Sequence, residues 1–180
     1  MDESQPRRPA PSGGERLPCP DPAVPHAAGG LTVTTDDTQP SLPTLRALLA
    51  ASRLGILATI KSDGRPQLSP VMPSYDGETN TLYVSTTEGR AKTANLRRDP
   101  RATLEVTSPD GRSWATAEGV ATLTGPGTDP YGPEVEALVE YYRRAAGEHP
   151  DWEEYRSVMV SDRRVLLTMT VDHLYGAVLG

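Results

Sequence analysis

Thr81-Leu-Tyr-Val-Ser-Thr-Thr-Glu-Gly-Arg-Ala-Lys-Thr-Ala-Asn-Leu-Arg-Arg-Asp-Pro100 joins a half-buried strand to a short helix and puts two cations at the join. Leu82 and Val84 alternate with Tyr83 and Ser85 along a strand over 81–86. A helix over 88–98 follows and stops at Asp99-Pro100, because proline cannot continue it and restricts the residue before it. A helix start carries unpaired N–H groups and the positive end of the backbone dipole, so Arg90 and Lys92 are poorly placed there unless an anion sits between them and the backbone. A phosphate fits that role. Ser85, Thr86 and Thr87 add hydroxyls, one of which is expected to cap the helix, and Gly89 lets an anion approach the main chain without meeting a Cβ.

Outward from this unit the pattern is that of short antiparallel strands. On the N-terminal side, Leu45, Leu48 and Leu49 recur at helical spacing within 41–52, with Ser41 or Thr44 as cap. An apolar run over 54–60, a turn at Ser62-Asp63-Gly64-Arg65 and a second strand over 66–75 follow. On the C-terminal side, strands are expected over 101–107 and 114–123, the latter interrupted by Gly119, which suggests a bulge or a barrel corner. Helical stripes end near Gly147 and run over 151–160, and a last strand spans 163–174. Six strands, short hairpins and few crossover helices predict a mainly β fold, a small six-stranded antiparallel barrel with peripheral helices.

Composition narrows the function. The chain has 180 residues and a net charge of −6, enough for one ordinary domain and with no global positive field to draw nucleic acid. Residues 1–40 are crowded with Pro, Gly, Ser, Thr and Asp without a hydrophobic period and read as a disordered tail, leaving 41–180 as the domain. Cys19 is the only cysteine, which leaves no intrachain disulfide and makes a reducing cytoplasm the natural setting. No run is long enough to cross a bilayer as a helix, so no membrane role is expected. His26, His149 and His173 are scattered, and no metal site is expected from them.

Several residues carry two readings. Arg90 and Lys92 are either solvated helix charges or an anion grip, and their place at the first turn favours the grip. Arg97 and Arg98 complement the dipole of the last turn and need no ligand. Asn95 either orients a cation or sits on the polar face of the helix. Trp114 is either core or an aromatic at a strand mouth that stacks on a flat ring. Ser69, Pro70, Val71 and Met72 lie mid-strand, where a proline implies a missing ladder donor and hence an edge or exposed rim that a ligand can use. The tyrosines of Val139-Glu-Tyr-Tyr-Arg143 read as a packing face.

Leu57-Ala-Thr-Ile-Lys-Ser-Asp-Gly-Arg-Pro-Gln67, the segment from Ser85 to Pro100 and Ala117-Glu-Gly-Val-Ala-Thr-Leu123 together resemble the split-barrel flavin and deazaflavin oxidoreductases, relatives of pyridoxamine 5′-phosphate oxidase. Gly147-Glu-His-Pro-Asp-Trp-Glu-Glu-Tyr155 and Ser161-Asp-Arg-Arg-Val-Leu-Leu167 are most similar to the branch that uses coenzyme F-420. The resemblance covers about residues 42–176 and implies an FMN-binding-type split barrel that forms a homodimer, with cofactor sites at the subunit interface and a small-molecule substrate over the ring. It implies phosphate contacts from Arg90, Lys92 and the hydroxyls of Ser85, Thr86 and Thr87, with Ala91 and Asn95 also in the cofactor site, and ring contacts from the strands around Thr59, Ile60, Gln67, Ser69, Pro70, Val71 and Met72, with Trp114 offered by the partner subunit. It names no catalytic side chain, because in such enzymes the cofactor carries the hydride. FMN is the alternative cofactor, a non-catalytic carrier the alternative function, and Lys61, Arg65 and Arg112 are further cations available to an anionic cofactor tail.

Overall fold

A computed structural model describes residues 40–179. The proposed tail over 1–40 therefore lies outside the described residues, except for Pro40. In chain order the elements are α1 (Leu42–Ala51), β1 (Gly55–Ile60), β2 (Pro66–Val71), β3 (Pro73–Asp76), β4 (Thr81–Thr87), α2 (Ala91–Arg98), β5 (Arg101–Thr107), β6 (Trp114–Thr124), α3 (Pro133–Ala146), α4 (Trp152–Ser161) and β7 (Arg164–Ala177). The strands form one antiparallel sheet in the order β2-β1-β5-β6-β7-β4-β3.

The strand count is seven where the sequence predicts six, because the run over 66–75 divides at Met72. Its first half pairs with β1 and its second half with β4, at opposite ends of the sheet order. A single residue between them forces the two edges together, so the sheet curls on itself into a half-barrel. Inward alternation runs unbroken through Ser69, Val71 and Pro73, and for that reason hydrophobic period gives no sign of the change of partner.

The interior holds Leu57, Leu82, Leu104, Val106, Leu167 and Met169, and α1 closes one end with Leu45 and Leu49. Adjacent residues of β7 face opposite sides: Leu167 enters the barrel, while Leu166 packs beneath α3 and α4 against Val135, Leu138, Val139 and Met159. Asp151 caps α4 by accepting from Glu153 N (3.0 Å) and Glu154 N (2.9 Å). The expected irregularity at Gly119 is a β-bulge, with the register of β6 on β7 shifting between Glu118 and Gly119.

Candidate functional site

β4 ends at Thr87, and the chain turns through Glu88 and Gly89, whose φ of +82° is a conformation that favours glycine. The helix then begins at Ala91, three residues later than the sequence suggests, with Arg90 as its N-cap residue. No side chain caps it. The expectation that Ser85, Thr86 or Thr87 would do so fails because all three remain in the strand, and Thr87 instead accepts through its carbonyl from Thr93 Oγ1 (3.1 Å). An uncapped first turn keeps its donors available to a ligand.

Around this turn lies a cavity of about 300 Å³, lined by Ser85, Thr86 and Thr87 of β4, by Arg90 and Lys92, by Pro70 and Val71 of β2, and by Leu54, Met72 and Arg164. Arg90 is exposed, Lys92 half-buried and Ala91 exposed at the first helical position. Among the described residues no acidic group lies within 4.0 Å of Arg90, Lys92 or Arg164, whereas Arg97 reaches Glu88 at 2.6 Å and Arg101 reaches Asp99 at 2.7 Å. Burial, with the charge of Arg90 second, holds the Lys92 ammonium below the usual lysine pKa. Among the described residues two buried polar side-chain atoms lack any partner, Ser85 Oγ and Arg164 Nε, and both residues line this cavity. Unpaired donors, unpaired cations and an open helix start together suit an anion with several oxygen atoms, and a phosphate-bearing cofactor fits these residues.

Arg164 escaped the sequence reading. It opens β7 directly opposite Thr87, a pairing between residues far apart in the chain that local pattern cannot signal.

The residues expected at the ring divide. Pro70 and Val71 line the cavity, and β2 is an edge strand, as its proline required. Thr59, Gln67, Ser69 and Asn95 instead form an internal chain. Asn95 Nδ2 donates to Thr59 Oγ1 (3.0 Å), Thr59 Oγ1 donates to Gln67 Oε1 (3.2 Å), and Gln67 Nε2 donates to Ser69 Oγ (2.6 Å). Asn95 is thus buried rather than on a polar face, and its Oδ1 accepts from Arg98 Nη2 (3.2 Å), so it does orient a cation. Arg98 also donates to the Ile60 carbonyl (2.5 Å), which ties α2 to the end of β1. Ile60 lines a separate groove with Glu118, Gly119 and His173.

Trp114 is 37% exposed and stands edge-on to Tyr175, with ring centroids 6.0 Å apart. It pairs with Ala177, at the far end of β7 from Arg164, about 40 Å of strand contour away. It does not line the cavity around Arg90 and Lys92. Lys61 and Arg65 are both paired with Asp63, at 3.3 and 2.6 Å.

A lysine whose ammonium is disfavoured in the folded state lowers stability below its depressed pKa, and the loss is relieved as pH rises from there toward the ordinary lysine value. Arg90→Gln removes one of the two causes, so the ligand-free variant is expected to melt no earlier than the parent at neutral pH. A Tm several degrees lower in thermal melts would show that Arg90 supports the fold instead.

Comparison with known proteins agrees with this architecture. The family model described as pyridoxamine 5′-phosphate oxidase matches residues 41–176. An F-420 reductase superposes with a TM-score of 0.53 at 22% identity, over 72% of this chain and 94% of that one. A conserved hypothetical protein from Mycobacterium tuberculosis gives 0.58 at 25% identity, over 76% and 83%. A FAD-binding protein from Mesorhizobium loti gives 0.50 at 21% identity, over 76% and 91%. With the matched region running from the cap of α1 to the penultimate residue of β7, this chain belongs to the pyridoxamine 5′-phosphate oxidase family of split barrels.

Proposed function

We propose that this protein is an oxidoreductase dependent on the deazaflavin coenzyme F-420. The observation that carries the reading is the cavity where Arg90, Lys92 and Arg164 gather beside an uncapped helix start, with no acidic partner among the described residues. When bound, the reduced deazaflavin supplies a hydride to a small unsaturated or conjugated substrate. The chain's own task is to bind and orient. Arg90 and Lys92 neutralise the phosphate, the hydroxyl of Thr87 donates to its oxygen atoms, and Pro70 and Val71 offer an apolar rim. The Asn95–Thr59–Gln67–Ser69 chain fixes β1 and β2 against α2, which keeps that rim in register with the phosphate grip.

A homodimer belongs to the same proposal. Leu54, Leu68 and Met72 are each more than 60% exposed at or near the cavity, an apolar rim that a second copy would cover. Trp114 would then reach a cavity only in the partner. FMN is the second reading, because its ribityl phosphate would engage the same cations.

Parallel fluorescence titrations with coenzyme F-420 and FMN choose between the two. F-420 is expected to bind the more tightly; tighter binding of FMN would assign the flavin enzyme, and binding of neither would overturn the proposal. A carrier would bind F-420 yet show no turnover of its reduced form with any acceptor.

A further inference from the structure

A second cavity, of about 340 Å³, lies between the α3–α4 pair and the start of β7. Its walls are aromatic and apolar, with Tyr141, Tyr142 and Ala145 from α3 and Tyr155 and Met159 from α4. The volume falls within the range of small-molecule sites. Met72, Ser85 and Arg164 line both this cavity and the cationic one, so the two chambers share a wall.

That wall is where the polar chemistry sits. Ser85 Oγ and Arg164 Nε are the buried side-chain atoms without a hydrogen-bond partner among the described residues, and the Arg164 side chain makes only a long polar contact, from Nη1 to Thr87 Oγ1 (3.5 Å). Arg53, also in the lining, has no acidic partner within 4.0 Å among the described residues, and none of the described carboxylates lines the cavity. Tyr155 is already committed, its hydroxyl donating to the Leu138 carbonyl (3.1 Å). Tyr141 makes only a long contact to the Met72 carbonyl (3.5 Å), and burial raises its pKa, so it stays a neutral donor at physiological pH.

A cationic ligand would meet two arginines and no acid here. A wholly apolar ligand would leave Ser85 Oγ and Arg164 Nε unpaired, at the cost that buried unsatisfied donors carry. The remaining class has a flat apolar body for the tyrosine walls and an acceptor fork for the guanidinium.

We propose that this cavity binds an aromatic or conjugated carboxylate, its ring system between the tyrosines of α3 and α4 and its carboxylate on Arg164 and Ser85. Its role as the substrate rests on the function proposed above; its binding does not.

The test is calorimetric titration of the full chain, free of cofactor, with trans-cinnamate and its neutral isostere cinnamamide. Cinnamate is expected to bind at least about tenfold more tightly than the amide, the difference of a charge-assisted hydrogen bond. Arg164→Gln should bring the acid down to the affinity of the amide, and Ala145→Trp, which fills the cavity, should abolish binding of both. Equal affinity for acid and amide in the parent, an unaltered preference in Arg164→Gln, or no binding of cinnamate would each overturn the inference. If Ala145→Trp fails to fold by circular dichroism, the Arg164→Gln comparison decides alone. F-420 binding without cinnamate binding would end this inference and leave the proposed function; the reverse result would end the proposed function and leave this one.

Discussion

Replacing Arg90 and Lys92 together by alanine is expected to weaken binding of a phosphate-bearing cofactor by about 3–6 kcal/mol, from roughly 1.5–3 for each charge-assisted hydrogen bond lost. That corresponds to a dissociation constant raised by about 10²–10⁴-fold. The effect is large because neither cation has an acidic partner among the described residues. Among the described residues neither forms an ion pair, and Lys92 is held partly buried beside Arg90 at a cost to its own ionisation. Replacing Arg97 and Arg101 provides the contrast: each is engaged with a surface carboxylate, Glu88 or Asp99, and neither lines the cavity. Unchanged cofactor affinity in the Arg90→Ala, Lys92→Ala protein would remove the main support for the site.

The second large effect is on stability. Gly119 sits at the bulge where the pairing of β6 with β7 shifts register, and a Cβ built there would stand 2.0 Å from the Thr170 carbonyl oxygen and 3.1 Å from Met169 Cγ. The first of these is backbone of a central strand, and no rotamer change relieves it. Gly119 also faces Ala102 of β5, so β6 is held from both sides. Gly119→Ala must therefore force β6 and β7 away from each other, and a loss of about 3 kcal/mol is expected, at the upper end of what overpacking costs. For a domain of this size the fall in Tm is on the order of 10 °C. A Tm within a degree or two of the parent would mean that the bulge has room the structure does not show.

Much of this fold is written locally. The apolar alternation of 101–107, the helical stripe of α3 and the glycine that interrupts β6 each depend on neighbours in sequence, and each appears close to its expected place. What local pattern misses depends on distant partners. The division of the 66–75 run at Met72 is set by β1 and β4, which take its two halves. Asn95 reads as a surface residue until Thr59, 36 positions earlier, is packed beneath it. Arg164 becomes a site residue only when β7 pairs with β4 and sets it opposite Thr87. The same limit explains the helix start. Hydroxyls before a helix usually cap it, but the pairing of β4 with β7 extends through Thr87 and leaves the first turn bare. That missing cap strengthens the anion site, because donors left unpaired by the protein are donors available to a ligand.

The central claim is that a phosphate docks on the start of α2. Amide NMR of the full chain during titration with coenzyme F-420 tests it most directly. The N–H resonances of Gly89, Arg90, Ala91 and Lys92 are expected to shift in step with saturation, and inorganic phosphate is expected to move the same set at higher concentration. Saturable cofactor binding that leaves these four resonances in place would contradict the claim.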